Sequence, residues 1–333
     1  MKLMASAAGM LRLALLSTAM LGLTAAAASA KGTGYIFVSN EKGDAVTVLD
    51  GTSYKLVKNI KTGRRPRGMR FNADHTQIYV ACGDSDRIDI IDIASLADVG
   101  KIPNVPDPEA FDIDRAGKFL YVSNEDSHEL SVIDLAAKKQ VKAVKVGLEP
   151  EGVQLTADGR TVYVANEASN FVSAIDVASG TVKTTIPTDQ RPRRFALTPD
   201  GKQLWVSAEI AGMLDVIDTA SNKVVGTVTF DPRGFRKDDI APVSLAITAD
   251  GKTAFISLGR ANRVAVVDVA SRQTRDFILV GSRPWGVVLS RDGKRLVVAN
   301  GGSDDVTIID TTAGKVIKSV PVGRYPYGAL IDD

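Results

Sequence analysis

Charged and aromatic residues flank a proline that recurs along the chain, and these side chains are suited to recognition chemistry. Arginine forks bind carboxylate or phosphate groups, aromatic rings anchor partners, and clustered carboxylates bind hard cations. Because the proline recurs while its neighbours differ, the neighbours are candidates for function and the proline for architecture. The flanking pairs are Arg65/Arg67, Asp107/Glu109, Glu149/Glu151, Arg191/Arg193, Ala241/Val243, Arg283/Trp285 and Tyr325/Tyr327.

The pairs predict one binding mouth with sectors of distinct chemistry. Two acidic pairs stand between two basic ones, and an aromatic arc is expected opposite them. Arg194 replaces a small residue and is expected to crowd the mouth. The acidic pairs could hold a cation, but no loop has a calcium-binding spacing, so the sequence leaves open whether a metal ion binds there. A self-neutralising ring of surface ion pairs, each contributing little, is the alternative.

The recurring proline reveals a repeat that must position these pairs. It occurs at Pro66, Pro108, Pro150, Pro192, Pro242, Pro284 and Pro326, with spacings of 42, 42, 42, 50, 42 and 42 residues. Each unit contains four short runs of alternating apolar and polar residues, which are typical of β-strands. Four strands per unit of this length, repeated seven times, predict an all-β, seven-bladed β-propeller of four-stranded antiparallel blades.

The two ends of the repeat complement each other. The first unit begins at "YIFVSN" (35–40), which corresponds to a second strand, whereas the chain ends on a first strand without successors. We expect Ala329–Ile331 to pair beside Tyr35–Ser39 and to close the ring in one composite blade, which removes exposed edges. Asp-Gly pairs such as Asp158-Gly159 predict tight hairpins with positive φ angles between the first two strands. The propeller domain is expected to span residues 31–333.

The N-terminal residues 1–30 have the features of a secretory signal peptide. Lys2 and Arg12 precede an apolar run, and Ala28–Ala30 fits a small-residue cleavage site, which predicts export to the periplasm. A retained membrane anchor is disfavoured because the run is short and alanine-rich. Removing the segment leaves 41 − 2 = 39 basic against 39 acidic residues. This balance argues against nucleic-acid binding and against adhesion to an anionic membrane. We expect a monomer.

Several other chemically versatile residues are assigned to architecture. A second marker is an aspartate at the end of every third strand, expected to bind the backbone of the following turn rather than a metal: Asp50, Asp92, Asp134, Asp176, Asp218, Asp268 and Asp310. The asparagines that end four of the second strands are interpreted as turn residues, because asparagine tolerates a left-handed φ: Asn40, Asn124, Asn166 and Asn300. His75 is expected in a solvated turn, and His128 could act alone as an acid or base. Cys82 is expected to be a buried thiol, with a reactive role as the alternative.

Two further features could extend the mouth. One unit is eight residues longer than the others, and its insertion, "FDPRGFRKDD" (230–239), lengthens one loop on this face; its Arg233, Phe235 and Arg236 could contact a partner. An inert insertion is equally compatible with the sequence. Four glutamates that follow second strands are expected to extend the acidic zone outward: Glu41, Glu125, Glu167 and Glu209.

The second strands "LYVSN", "VYVAN" and "LVVAN" resemble the YVTN-type β-propeller repeat over all seven units. Stretches specific to single units resemble the exported propellers associated with catabolism dependent on pyrroloquinoline quinone (PQQ). They are "GDSDRIDIID", "PDPEAF", "EPEGV", "DQRPRRFAL", "LWVSAEIAG", "DGKTAFISLGRANRVAVVDV" and "VIKSVPVGRYPYG". Cys82 and the insertion depart from that group. The resemblance implies an accessory role in PQQ-dependent alcohol oxidation and its transport system, without a catalytic residue and without PQQ as a bound cofactor.

The sequence therefore favours a non-catalytic exported binding protein that uses the mouth to hold a partner or ligand. The resemblance implies a periplasmic PQQ-dependent dehydrogenase, a cytochrome or a transporter component as partner. The alternative is a lactonase-like hydrolase, in which a mouth carboxylate acts with Arg65 or Arg191. It is disfavoured because neither a Ser/His/Asp nor a Cys/His arrangement is present.

Overall fold

The computed structural model describes residues 32–333, and the predicted signal peptide lies outside them. The described chain forms seven four-stranded antiparallel sheets, as predicted. Within this part of the chain, no helix is long and apolar enough to cross a membrane.

The first four blades follow the order of the repeats. Blade 1 contains β1 (Tyr35–Asn40), β2 (Ala45–Asp50), β3 (Leu56–Lys61) and, as its inner strand, β28 (Pro326–Ile331). Blade 2 contains β4 (Pro66–Phe71), β5 (Gln77–Cys82), β6 (Arg87–Asp92) and β7 (Ala97–Pro103). Blade 3 contains β8 (Pro108–Ile113), β9 (Phe119–Asn124), β10 (Glu129–Asp134) and β11 (Lys139–Lys145). Blade 4 contains β12 (Pro150–Leu155), β13 (Thr161–Asn166), β14 (Phe171–Asp176) and β15 (Thr181–Pro187).

The last three blades complete the ring. Blade 5 contains β16 (Pro192–Leu197), β17 (Gln203–Ala208), β18 (Met213–Asp218) and β19 (Lys223–Thr229). Blade 6 contains β20 (Pro242–Ile247), β21 (Thr253–Leu258), β22 (Arg263–Asp268) and β23 (Thr274–Leu279). Blade 7 contains β24 (Pro284–Leu289), β25 (Arg295–Asn300), β26 (Asp305–Asp310) and β27 (Lys315–Pro321). Two one-turn 3-10 helices occupy Gly83–Ser85 and Lys237–Asp239. We call the four strands of each blade A to D from the channel outward.

The predicted ring closure is confirmed. Ile36 pairs with Ile331, Phe37 with Leu330 and Val38 with Ala329. Asp332 strengthens the closure, because its Oδ2 accepts hydrogen bonds from the backbone N–H and hydroxyl of Thr33 at 2.8 and 2.7 Å. The N-terminal and C-terminal strands thus protect each other's edges.

The core lies between neighbouring blades. Strand B of each blade is buried over nearly its whole length, as in β13, because the adjoining blades cover both of its faces. Trp205 of β17 is fully buried against Ala254 and Ile256 of β21. Burying such a side chain contributes about 1.5–3 kcal/mol of stability. Strand D is mostly exposed, and a β-bulge and lysines such as Lys142 protect its free edge.

The turns between strands A and B correct one sequence prediction. Only the glycine of each Asp-Gly pair takes a positive φ, for example 70° at Gly159. The aspartate does not, because the connection is longer than a two-residue hairpin and Asp158 Oδ1 accepts hydrogen bonds from the Thr156 hydroxyl and the Arg160 N–H. The seven aspartates after strand C do cap their turns, as predicted; Asp176 Oδ1 accepts from the Ser179 N–H at 2.8 Å.

The buried asparagines have a different role from the one predicted. Asn40 and Asn166 are architectural but do not adopt left-handed φ. Their side-chain amides lie inside the blade, where Asn166 Nδ2 donates to the Val164 and Phe171 carbonyls. His75 lies exposed in a turn with a positive φ of 57°, as predicted, and its ring stacks on Phe71. Cys82 is fully buried, as predicted, and burial followed by the charge of Asp89 raises the pKa of its thiol, which disfavours the reactive alternative.

Candidate functional site

One backbone feature places all seven flanking pairs on the same face. The residue before each marker proline is left-handed, and none of the seven is glycine: Arg65, Asp107, Glu149, Arg191, Ala241, Arg283 and Tyr325, with φ between 35° and 63°. Such a conformation costs about 1–3 kcal/mol each. It is held by a repeated hydrogen bond in which its carbonyl accepts from the first N–H after strand B, such as Glu167 N to Glu149 O at 2.9 Å.

This feature joins the D–A loops and the B–C loops into one surface, which we call the D–A face. The residue that follows strand B consequently lies beside the flanking pair. Glu167 and Glu209 are 3% and 8% exposed and contact arginines of the mouth. The prediction that the four glutamates after strand B extend the acidic zone outward is therefore wrong for these two, which turn inward because buried guanidinium groups attract them.

The first cluster joins blades 1, 2 and 3 around Arg65 and Arg67. Arg65 contacts Asp107 Oδ1 at 2.6 Å, Glu125 Oε2 at 3.2 Å and Glu109. Arg67 contacts the other oxygen of Glu109 and reaches Glu41 Oε1 at 3.2 Å. Glu109 is fully buried, and its two carboxylate oxygens contact these two arginines.

The second cluster joins blades 4 and 5 around Glu151. Arg193 is 4% exposed and contacts Glu151 Oε1 at 2.6 Å, Glu167 Oε1 at 2.9 Å and Glu209 Oε2 at 3.1 Å. Arg194 Nη2 lies 3.1 Å from Glu151 Oε2. Arg67 Nη1 lies 3.6 Å from Glu151 and so links the two clusters into one network.

Aromatic rings complete the mouth but are covered by guanidinium groups. Trp285 and Tyr327 stack with ring centroids 5.8 Å apart, and both are largely buried. Arg193 and Arg283 lie 5.2 and 5.0 Å from the Trp285 ring. Cation–π contacts of this kind contribute about 0.5–2 kcal/mol each. Tyr325 is half-buried, and Nζ of Lys42 lies 4.2 Å from the centre of its ring.

The network contains more carboxylates than arginines. Its five arginines are Arg65, Arg67, Arg191, Arg193 and Arg194, and its eight carboxylates are Glu41, Asp84, Asp107, Glu109, Glu125, Glu151, Glu167 and Glu209. Burial, followed by the charge of Glu151, raises the pKa of Glu167 to about 8 and that of Glu109 well above its ordinary range. For Glu151 itself burial is outweighed by Arg193, Arg194 and Arg67, which hold its pKa below the ordinary range. Glu167 and Glu109 are therefore largely protonated near neutral pH, which brings the number of charged carboxylates close to the number of arginines.

The possible cation ligands do not assemble as predicted. Carboxylate oxygens of Asp107, Glu109 and Glu125 approach within 4.8 Å of one another, whereas Glu149 and Glu151 are not in this group. The guanidinium of Arg65 contacts all three carboxylates and occupies the position of a cation.

Below the network lies the central channel, which holds a cavity of about 190 Å³. Small residues of strand A, such as Gly68, Ala110 and Gly152, line it together with Phe111 and Phe195. Arg194 stands where the other blades have a small residue, and its Nη2 donates to the Tyr327 hydroxyl. It therefore crowds the channel mouth, as its sequence position indicates.

Two predicted site residues lie apart from the network. Phe235 of the insertion packs half-buried on the core of blades 5 and 6, with Arg263 at 5.0 Å from its ring, so it anchors the loop. The neighbouring Arg233 is exposed, and Arg236 pairs with Asp239 at 3.1 Å. Glu149 lines a separate hollow between blades 4 and 5.

Comparisons with known proteins agree with the fold. Residues 25–158 match the family model of the YNCE-like beta-propeller, and residues 124–285 match that of the Choice-of-anchor I domain. No curated protein matches the chain. Hydrazine synthase of Kuenenia stuttgartiensis is 24% identical with a TM-score of 0.76, and the match covers 84% of this chain and 92% of that one.

Two other solved structures are similar over a larger part of the chain. A protein from Lactobacillus plantarum is 19% identical with a TM-score of 0.77, covering 90% of this chain and 99% of its own. A protein from Bacteroides fragilis, described as a candidate 6-phosphogluconolactonase, is 15% identical with a TM-score of 0.76, covering 90% and 98%. Identities this low establish the fold alone. The chain is a seven-bladed β-propeller whose residues 25–158 resemble the YNCE-like β-propeller family.

Proposed function

We propose that the protein is a non-catalytic binding protein that recognises a partner protein on its D–A face. The observation that carries this proposal is the mutual engagement of the groups at the centre of the mouth. Arginine forks hold the protein's own carboxylates, and the aromatic rings lie under guanidinium groups. Recognition is therefore assigned to the rim of this face, which the buried network holds rigid.

A hydrolase at the same mouth is less compatible with this geometry. A general base must reach the substrate within hydrogen-bond distance. Glu109 is fully buried and Glu151 is 2% exposed, and arginines occupy the oxygens of both. The Bacteroides fragilis protein shares only the fold with this chain, so its description gives no support to a hydrolase here.

The rim offers both charge and apolar surface to a partner. Leu148 and Ile210 are 51% and 52% exposed in loops of this face, and Arg64, Arg260 and Arg324 are exposed as well. Aliphatic and arginine side chains among polar neighbours are common in interfaces between proteins.

The cellular role we propose is an accessory function in PQQ-dependent alcohol catabolism and its transport system, in the periplasm. Its support is the resemblance of the unit-specific stretches to exported PQQ-associated propellers, together with the signal-like residues 1–30. A PQQ-dependent dehydrogenase, a cytochrome or a transporter component is the expected partner, and the protein itself is expected to hold no PQQ.

A capture experiment tests this proposal. The full chain, expressed with residues 1–30 and a C-terminal affinity tag, is used as bait in periplasmic extract from alcohol-grown cells. The face variant Leu148→Asp/Arg324→Asp is compared with Leu56→Asp/Lys318→Asp, which places the same charges on exposed outer strands. We expect the wild type and the outer-strand variant to retain one of the named components, and the face variant to retain about tenfold less. Equal retention by both variants, or retention of none of these components, would contradict the proposal.

A further inference from the structure

A hollow of about 310 Å³ opens on the D–A face between blades 4 and 5. Six of its residues carry the argument: Glu149, Glu167, Asn170, Gln190, Arg191 and Ile210. Its volume lies at the lower end of the range for ligand pockets, so it suits one long side chain or a small molecule.

Glu149 gives the hollow an uncompensated negative charge. It is half-buried, and within residues 32–333 it makes no ion pair. Arg191 lines the same hollow but is committed elsewhere, since its guanidinium contacts Glu167 Oε2 at 2.9 Å and Glu209 Oε2 at 3.1 Å. The left-handed backbone at Glu149, with φ of 50°, fixes where this carboxylate emerges.

A second, buried carboxyl group lies in the wall of the hollow. Glu167 is 3% exposed, and among the described residues its Oε1 has no hydrogen-bond partner, although Arg193 Nη1 lies 2.9 Å away in an unsuitable direction. Burial and then the charge of Glu151 raise the pKa of Glu167 to about 8. A carboxyl group with this pKa is largely protonated near neutral pH, so Glu149 supplies the negative charge of the hollow, and a cation bound there would favour the ionised form of Glu167.

The hollow also has an apolar wall. Ile210 is 52% exposed and lines it, whereas most side chains of this size in the protein are buried. Leu148 is 51% exposed and precedes Glu149 in the same loop. An aliphatic stem lying against Ile210 would remove apolar surface from water, while its charged end reaches the carboxylate of Glu149.

From this arrangement we infer that the hollow binds a cationic group on an aliphatic stem, namely the ammonium of a lysine or the guanidinium of an arginine presented by the partner. The inference rests on the proposed function and names the chemistry that anchors the partner. Glu149 supplies the ion pair, the buried carboxyl group of Glu167 forms part of the wall, and Asn170 and Gln190 line the hollow with amide groups.

Titration of the full chain with small probes tests this inference by NMR. The probe is Nα-acetyl-lysine N-methylamide, with the arginine analogue as second cation and the norleucine analogue as neutral control. We expect both cations to shift the backbone amide signals of Gln190 and Ile210, and norleucine to do so at least about tenfold more weakly. Free n-butylamine, which has the same ammonium and aliphatic stem as a lysine side chain, is expected to shift the same signals, and no shift by n-butylamine would overturn the assignment.

Matched variants locate the site. Glu149→Gln is expected to weaken the lysine probe about tenfold, the effect of losing one charge-assisted contact. Asp126→Asn removes an exposed carboxylate from the same face and is expected to change nothing. An unchanged affinity in Glu149→Gln, equal binding of norleucine, or no shifts up to saturation of the probe would overturn the inference.

The outcomes separate this inference from the proposed function. If the bait captures its partner and Glu149→Gln captures it equally well without binding the probe, the inference fails and the proposed function stands. If the probe binds as expected while the bait captures none of the named components, the proposed function fails and the cation site stands.

Discussion

Arg194 of blade 5 reaches across the channel mouth to the hydroxyl of Tyr327 in blade 1, 133 residues away in the chain. The same guanidinium lies 3.1 Å from Glu151 of blade 4. One side chain therefore connects three blades at the channel mouth. The buried mouth thus serves as a central brace of the propeller as well as the support of its recognition face.

Replacing Arg194 with alanine should open the channel and weaken this brace. The Tyr327 hydroxyl would lose its donor, whereas Glu151 would keep Arg193 and Arg67. We expect the free energy of unfolding to fall by about 1–3 kcal/mol, as for a lost hydrogen bond to a charged group. Urea denaturation measures the change, and Arg115→Ala, at an exposed arginine, is the matched control. Equal stability of Arg194→Ala and the wild type would show that the contact is not a brace.

Glu151→Gln should lower the free energy of unfolding more, because it removes the one carboxylate that contacts Arg194 among the described residues and one of the three that contact Arg193. Glu151 contacts Arg193 at 2.6 Å and Arg194 at 3.1 Å. Removing one partner of a buried pair destabilises a protein by about 3–5 kcal/mol. The control, Glu129→Gln, breaks an exposed pair with Lys145 and should cost at most about 1 kcal/mol. Thermal unfolding of both variants gives the comparison, and similar losses for the two would contradict this account.

The sequence predicted the fold in detail because it is encoded locally and seven times. The proline and aspartate markers gave the blade count, and the incomplete first unit gave the closure that Ile36 and Ile331 form. The local sequence predicted the geometry of the turns less well, since Asp158 does not take the predicted positive φ. Hydrogen bonds with Thr156 and Arg160 decide that conformation, and a dipeptide alone does not specify them.

The site residues were recognisable from the sequence, but their partners were not. Arg65 and Glu109 stand in neighbouring repeats, yet their pairing depends on the left-handed backbone before each proline. The residue before a proline normally avoids helical conformations, so no sequence rule indicated it. Glu167 was assigned to an outer zone because its burial arises only when Arg193 reaches it from the next blade.

The buried carboxyl of Glu167 predicts a specific dependence of stability on pH. It faces Arg191, Arg193 and Glu151, and its pKa rises from 4.5 to about 8 on folding. The folded state favours the protonated form, so this contribution is complete below pH 4.5 and is lost as the pH rises to about 8. We expect the free energy of unfolding of the wild type to decline over this window, and that of Glu167→Gln to decline less. Identical pH profiles of the two proteins, measured by urea denaturation, would rule out this role.

Because β28 closes the ring, we expect that shortening one buried side chain of this strand lowers the stability of the protein substantially. Leu330 pairs with Phe37 and is 8% exposed in the core between blades 1 and 2. Leu330→Ala should therefore destabilise the protein by about 2–5 kcal/mol, the usual cost of a cavity in a packed core. Leu279→Ala, at a leucine that is 63% exposed at the end of β23, should change stability by at most about 0.5 kcal/mol. If urea denaturation gave both variants the same stability, the composite blade would not be what holds the two ends of the chain together.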